Sequence, residues 1–263
     1  MVDYSKYKCI KIDRDGPVLT IALNRPEMNA VNAELHYELS QVFADANMDH
    51  EAKVVVLTGA NKAFCAGGDI KWMEEMQKPG TFRSIMPEGK KIVMDLIDLE
   101  KPVIAKLNGH AIGLGATIAL FCDIIIASEK AKIGDPHVQV GLVAGDGGAV
   151  IWPFLIGMCR AKRFLFTGDL IDASEAATIG LINKAVPPEQ LDEEVNKMAQ
   201  RLAGGALVAI NYTKISVNKT LRFIADLIMD TSISLEGHSV ATQDHLEGVR
   251  AFIEKRKPNF KGM

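Results

Sequence analysis

Two glycine-rich segments, each entered from an apolar β-branched run, constrain this chain more than any other feature. The first is Phe64-Cys65-Ala66-Gly67-Gly68-Asp69-Ile70, after Val54-Val55-Val56-Leu57. The second is Asn108-Gly109-His110-Ala111-Ile112-Gly113-Leu114-Gly115, after Val103-Ile104-Ala105-Lys106-Leu107. Each leads into helical spacing. Strand, glycine turn and helix in that order aim free backbone N–H groups at an anion. Two such turns side by side can hold one oxygen between them, which is the geometry of an oxyanion hole.

The rest of the pattern agrees with an αβ chain. Val18–Leu23 reads as a strand after the turn Asp15-Gly16-Pro17. Ala33–Met48 carries Leu35, Leu39, Val42, Phe43 and Ala46 on one helical stripe. Pro79-Gly80 and Met86-Pro87 mark a loop over 76–88, expected to close a pocket, before a helix over 90–99. Short strands are expected at 124–127 and 131–134. Helical patterns then dominate, at 161–166, 173–179, 189–203, 207–220, 221–242 and 245–255. We therefore expect an α/β core over 1–200 and a helical region over 201–263.

At 263 residues, with 48% hydrophobic and 24% charged residues, the chain can bury one sizeable core. A net charge of -3 and the lack of a basic stripe argue against a nucleic-acid partner. The one dense basic cluster, Lys255-Arg256-Lys257, reads either as a solvated terminus or as an anion contact. Residues 1–11 lack the apolar centre of a secretory signal, and the apolar stretch 111–127 is broken by Asp123. The four cysteines form no CxxC pair, and Cys122 and Cys159 read as buried thiols. A reducing, cytoplasmic setting without a membrane span is the expectation.

Several chemistries fail on spacing. Ile118 stands where GxGxxG needs its third glycine, no Walker lysine follows either turn, and GxSxG is absent. No His/Cys spacing suggests a metal. Cys65 beside the first turn is a candidate thiol nucleophile, but no base is evident near it. The segment from Ile133 to Gly148 brings Asp135, His137 and Asp146 into a glycine-rich, turn-prone stretch. An imidazole close to a carboxylate can activate water or relay a proton. Equally, Asp146 could cap a helix starting near Gly147 while His137 fills a polar niche.

The glycine segments, Asn24-Arg25-Pro26, 102–123, 141–148, Thr167-Gly168, 173–182 and 252–258 occur together in one order. In these the chain resembles the enoyl-CoA hydratase/isomerase (crotonase) superfamily over nearly its whole length. The resemblance implies a spiral of ββα repeats with C-terminal helices that pack into a homotrimer or a dimer of trimers. It implies an acyl-CoA substrate, with coenzyme A part of that substrate and no separate cofactor. The oxyanion hole falls by resemblance at the N–H groups of Ala66 and Leu114. Arg25, Met28 and Ala30, with the turn residues Ala66, Gly67, Gly68 and Asp69, match coenzyme A contacts. Phe252 and Lys255 match residues that reach the coenzyme A of a neighbouring subunit. Trp72, Met73 and Met76 either line the acyl pocket or are plain core.

The chain departs from the family where hydratases carry two glutamates, having Thr117 and His137 there instead. A threonine hydroxyl is no base near neutral pH, so the usual two-carboxylate hydration cannot operate unchanged. His137 with Asp146 nine positions on is similar to the branch typified by 6-oxocamphor hydrolase, which cleaves a cyclic β-diketone with water. That likeness makes His137 the base and Asp146 the group that orients its ring. Three functions follow: enolate chemistry on an acyl-CoA, C–C hydrolysis of a β-diketone or β-ketoacyl-CoA, and a catalytically silent coenzyme A-binding protein.

Overall fold

The computed structural model describes residues 2–78 and 80–263; Pro79 of the expected loop lies outside the described residues. The strands are β1 Ile10–Asp15, β2 Val18–Leu23, β3 Val54–Gly59, β4 Val103–Leu107, β5 Ala111–Ile112, β6 Ile124–Ser128, β7 Lys132–Gly134, β8 Ile171–Asp172 and β9 Lys184–Val186. The helices are α1 Pro26–Asn29, α2 Ala33–Met48, α3 Ile70–Met76, α4 Thr81–Asp98, α5 Leu114–Leu120, α6 Gly148–Thr167, α7 Ala173–Thr178, α8 Leu191–Ala203, α9 Leu207–Val240 and α10 Gln243–Ile253.

The large sheet has the order β1-β2-β3-β4-β6-β9, parallel except for the β1–β2 hairpin. It is covered on both faces, which explains its unbroken apolar runs. Along β3 the alternation sends Val55 and Leu57 to the main core. Val54 and Val56 go to a second core under Leu191, Val195 and Ala199 of α8. A small sheet, β5-β7-β8, stands beyond the carboxyl ends of the large-sheet strands. The chain repeatedly runs from a long strand to a short one to a helix: β4-β5-α5, then β6-β7-α6. This repeat is the expected ββα spiral, and it stacks the glycine turns at one end of the sheet.

Four elements differ from the sequence expectation. β1 pairs with β2 although its outward residues, Lys11, Asp13 and Asp15, hide it from an apolar count. α4 begins at Thr81, so Met86-Pro87 is helical rather than loop. Pro87 is exposed there, and water can hydrate the Arg83 carbonyl that the missing N–H leaves free. α9 is one helix of 34 residues rather than two. α6 extends back to Gly148 across a break at Gly157 (φ 77°), which leaves Cys159 exposed rather than buried.

The C-terminal helices share the main core: Leu221, Ala225, Met229 and Ile233 of α9 lie in it. A part-buried ion pair, with Lys214 buried and Asp123 reaching solvent, also fastens α9. Lys214 Nζ donates to Asp123 Oδ2 (2.7 Å) and to the Lys101 carbonyl (2.8 Å). Removing Lys214 costs Asp123 its charged hydrogen-bond partner and leaves the Lys101 carbonyl without this donor. The Lys214→Ala variant is expected to lose about 1.5 kcal/mol of stability, read from urea unfolding; Lys214→Arg should lose less.

Candidate active site

Backbone hydrogen bonds set the two glycine turns side by side. Cys65 N–H donates to the His110 carbonyl (3.0 Å), and Ile112 N–H donates to the Cys65 carbonyl (2.9 Å). Glycine is required where the turns touch. A Cβ on Gly67 (φ +84°) would lie 3.1 Å from the Ile112 carbonyl oxygen, and one on Gly115 would lie 2.6 Å from that of Cys65. This packing corrects one assignment. The Ala66 N–H is engaged by the Met28 carbonyl (3.0 Å) and cannot receive an oxyanion. Among the described residues, Gly68 N–H has no partner, nor has Leu114 N–H at the first position of α5. Gly68 and Leu114 line one inner chamber of about 60 Å³, with His137, Asp146 and Glu236.

His137 opens a 3-10 turn, His137–Val140, just after β7. Its Nδ1 is hydrogen-bonded to Asp135 Oδ1. Its Nε2 stands 3.6 Å from Asp146 Oδ2, within ion-pair range but longer than a hydrogen bond. The role expected for Asp146 therefore needs correction, because the carboxylate bonded to the ring is Asp135. Thr117, in place of a glutamate, donates its hydroxyl to Asp146 Oδ1 (3.1 Å). Asp146 does not cap α6; Gly147 is the capping residue.

A third carboxyl group arrives from a distance. Glu236 of α9 is buried beside the dyad, and its Oε2 has no partner among the described residues. Gly145 makes room for it, since a Cβ there would lie 2.5 Å from Glu236 Cβ. Nothing local in 230–240 marks this residue; only a charged side chain on the buried stripe of α9 could have signalled it.

Burial and charge set the protonation of the cluster. Burial alone would lower the His137 pKa, but the carboxylates of Asp135 and Asp146 outweigh it and hold the imidazole well above its ordinary range. Burial raises Asp146, opposed by the His137 charge. Burial and then Asp146 lift Glu236 well above the usual carboxylate range, which favours its neutral form. Burial pushes the Cys65 thiol up to about 12, which removes it as a nucleophile.

Arg25 braces the first turn, donating to the Ala30 carbonyl and to Asp69 Oδ2 (3.3 Å), while Asp69 also caps α3. Met28 and Ala30 are half-buried on the same ledge. A wider cleft of about 460 Å³ leads inward past Gly67, Gly68 and Gly113 to His137. Phe252 lines the mouth of this cleft in its own chain, as do Arg256 and Phe260. Lys255 is exposed and does not line it. Trp72, Met73 and Met76 line the inner chamber, with Trp72 against His36 (ring centroids 5.2 Å apart).

The family model for enoyl-CoA hydratase/isomerase matches residues 13–263. The chain belongs to this family. It is similar to the crotonyl-CoA hydratase of Syntrophomonas wolfei, with 37% identity over 97% of this chain and 98% of that protein. Its fold matches an enoyl-CoA hydratase/isomerase from Mycobacterium paratuberculosis (TM-score 0.89, 34% identity, 94% of this chain and 99% of the other). It also matches a β-diketone hydrolase from Anabaena sp. PCC 7120 bound to (S)-3-oxocyclohexyl acetic acid (TM-score 0.85, 29% identity, 90% and 96%). The chain is accordingly an enzyme of the enoyl-CoA hydratase/isomerase family with the crotonase fold. Among the described residues no helix is long and apolar enough to cross a membrane.

Proposed function

We propose that this enzyme adds water through an enolate of an acyl-CoA thioester, with His137 in the part that glutamates play in relatives. The observation that carries the reading is the convergence of His137, Asp146 and Glu236 on the chamber lined by Gly68 and Leu114. His137 in its neutral form takes a proton from water at Nε2 as the oxygen bonds to the β-carbon of an enoyl thioester. Electron density moves to the thioester oxygen, which accepts the free N–H groups of Gly68 and Leu114. The enolate then takes a proton at its α-carbon from the neutral carboxyl of Glu236, and the proton gained by His137 passes back to the Glu236 carboxylate across the shared chamber to restore both groups. Coenzyme A is part of the substrate and would lie along the wider cleft, near Arg25, Met28 and Ala30.

A second reading is C–C hydrolysis of a β-dicarbonyl compound. It is favoured by the imidazole in place of a glutamate and by the likeness to the β-diketone hydrolase. Water would attack one carbonyl, the bond to the α-carbon would break, and the same hole would hold the enolate released. A silent coenzyme A-binding protein has no use for three buried ionisable groups facing one chamber. Exposed Val208, Tyr212, Phe223 and Leu227 on α9 support a self-associating enzyme, with a trimer as the expected form.

Turnover in ¹⁸O-water separates the two reactions. Hydration places the label in a β-hydroxyl group, whereas C–C hydrolysis places it in a new carboxylate. The panel is short enoyl-CoA, β-ketoacyl-CoA and cyclic 1,3-diketone substrates, and label in none of the products would overturn both readings. Glu236→Gln keeps the shape and the neutral state but has no acidic proton. It should lower kcat by about 10²-fold or more with little change in KM.

A further inference from the structure

The geometry points to Asp135 as the positioning residue of this site: it takes the Nδ1 hydrogen of His137 and leaves Nε2 as the atom that exchanges protons with the reactant. This deepens the reading of His137 as the base and rests on it for its catalytic consequence. The two aspartates stand on opposite sides of the ring and are held differently. Asp135 lies behind it, with its side chain fully buried. It directly follows β7, whose last residue Gly134 accepts the Gly113 N–H at its carbonyl (2.9 Å), so the strand end that carries it is tied to the second glycine turn. The start of α6 closes off its other oxygen: a Cβ on Gly148 would lie 2.0 Å from Asp135 Oδ2. That oxygen has no partner among the described residues, so the carboxylate has one hydrogen-bonded function, the bond to the imidazole.

His137 is fixed from the other direction. Its carbonyl accepts the Leu142 N–H (2.9 Å), and the Pro136 carbonyl accepts the Gln139 N–H (2.9 Å). Asp146 lies in front of the ring, its Oδ1 held by Thr117 and its Oδ2 3.6 Å from Nε2. That separation, on the chamber side, suits a carboxylate that steadies charge at Nε2 while a water or reactant enters. The other titratable groups around the ring are Glu236 from α9 and His245 from α10. His245 Nδ1 is bonded to the Val140 carbonyl (2.7 Å), and Arg256 stands at the mouth of the cleft. Among the described residues none of these is hydrogen-bonded to Nδ1, so the tautomer is set by Asp135.

Ring ¹⁵N resonances of labelled protein, assigned to His137 by comparison with His137→Gln, test this without any substrate. In the parent, neutral His137 should carry its hydrogen on Nδ1, with a midpoint above the ordinary value of about 6.5. Asp135→Asn fits the same space and removes the charge; its midpoint should fall by about one pH unit or more. Asp135→Ala should also lose the Nδ1–H tautomer, whereas Asp146→Asn should keep it. On a substrate that the parent turns over, Asp135→Ala should lose about 10³-fold in kcat, and the ascending limb of kcat/KM should move with the midpoint. A purely structural Asp135 would lower the melting temperature and leave tautomer and midpoint alone. The parent midpoint in Asp135→Asn, or a tautomer that depends on Asp146 instead, overturns the assignment. If Asp135→Ala does not fold, the Asp135→Asn midpoint still decides. A parent that acts on no substrate while these ring signals behave as described would sink the proposed function and leave the role of Asp135 standing.

Discussion

Exchange of His137 for glutamine is expected to lower kcat by about 10³-fold, with KM changed far less. Glutamine can fill the place of the ring and can still hydrogen-bond toward Asp135. It cannot accept and return a proton near neutral pH. The remaining groups cannot replace it: Glu236 is held neutral by burial and by Asp146, and Thr117 is a hydroxyl tied to Asp146. In the parent, the ascending limb of kcat/KM should lie above the ordinary histidine range. Asp135 and Asp146 keep His137 protonated there, and only the neutral ring can act as a base. Lowering the pH through that limb should abolish turnover, and the His137→Gln variant should lack the limb altogether. Steady-state kinetics from acid to alkaline pH check both statements, with thermal unfolding to verify that the variant is folded.

The second large effect concerns a backbone atom. Leu114 is the first residue of α5, where proline is tolerated because its N–H has no helical partner. Leu114→Pro therefore removes one proposed oxyanion donor while the helix can persist. Leu114→Ala removes the side chain and keeps the donor. The difference between the two should be about 10²–10³-fold in kcat. Equal activities would show that the N–H of Leu114 carries no charge from the reaction, and the oxyanion assignment would fall. Circular dichroism separates loss of α5 from loss of the donor.

Much of the scaffold was legible because it depends on local rules. The apolar runs 54–57 and 103–107 become adjacent parallel strands, and the glycine turns after them meet as expected. Glycine at 115 is dictated by an approach too close for any side chain, and at 67 by a φ of +84°. What local rules could not give were facts about pairing across the fold. Ala66 and Gly68 are two residues apart, and only the contact with Met28 decides which N–H remains free. The family likeness offers Asp146 as the partner of His137, whereas the ring is bonded to Asp135. The choice depends on the short turn at Pro136 and on how α6 starts against Asp135. Glu236 comes from α9, about one hundred residues beyond His137, and no motif announces it. Pro87 read as a break because sequence alone does not say that its face of α4 meets water.

Enolate formation is the central claim, and α-hydrogen exchange measures it most directly. A saturated short acyl-CoA thioester is incubated with the enzyme in deuterium oxide, and deuterium at the α-carbon is followed by mass spectrometry. The parent enzyme should exchange that hydrogen well above the rate in buffer. Glu236→Gln, which lacks the group that exchanges protons with the α-carbon, and Leu114→Pro should fall toward the buffer rate, while Leu114→Ala should remain close to the parent. Exchange no faster than buffer for the parent, with thioester bound at saturation, would contradict an enolate held between Gly68 and Leu114.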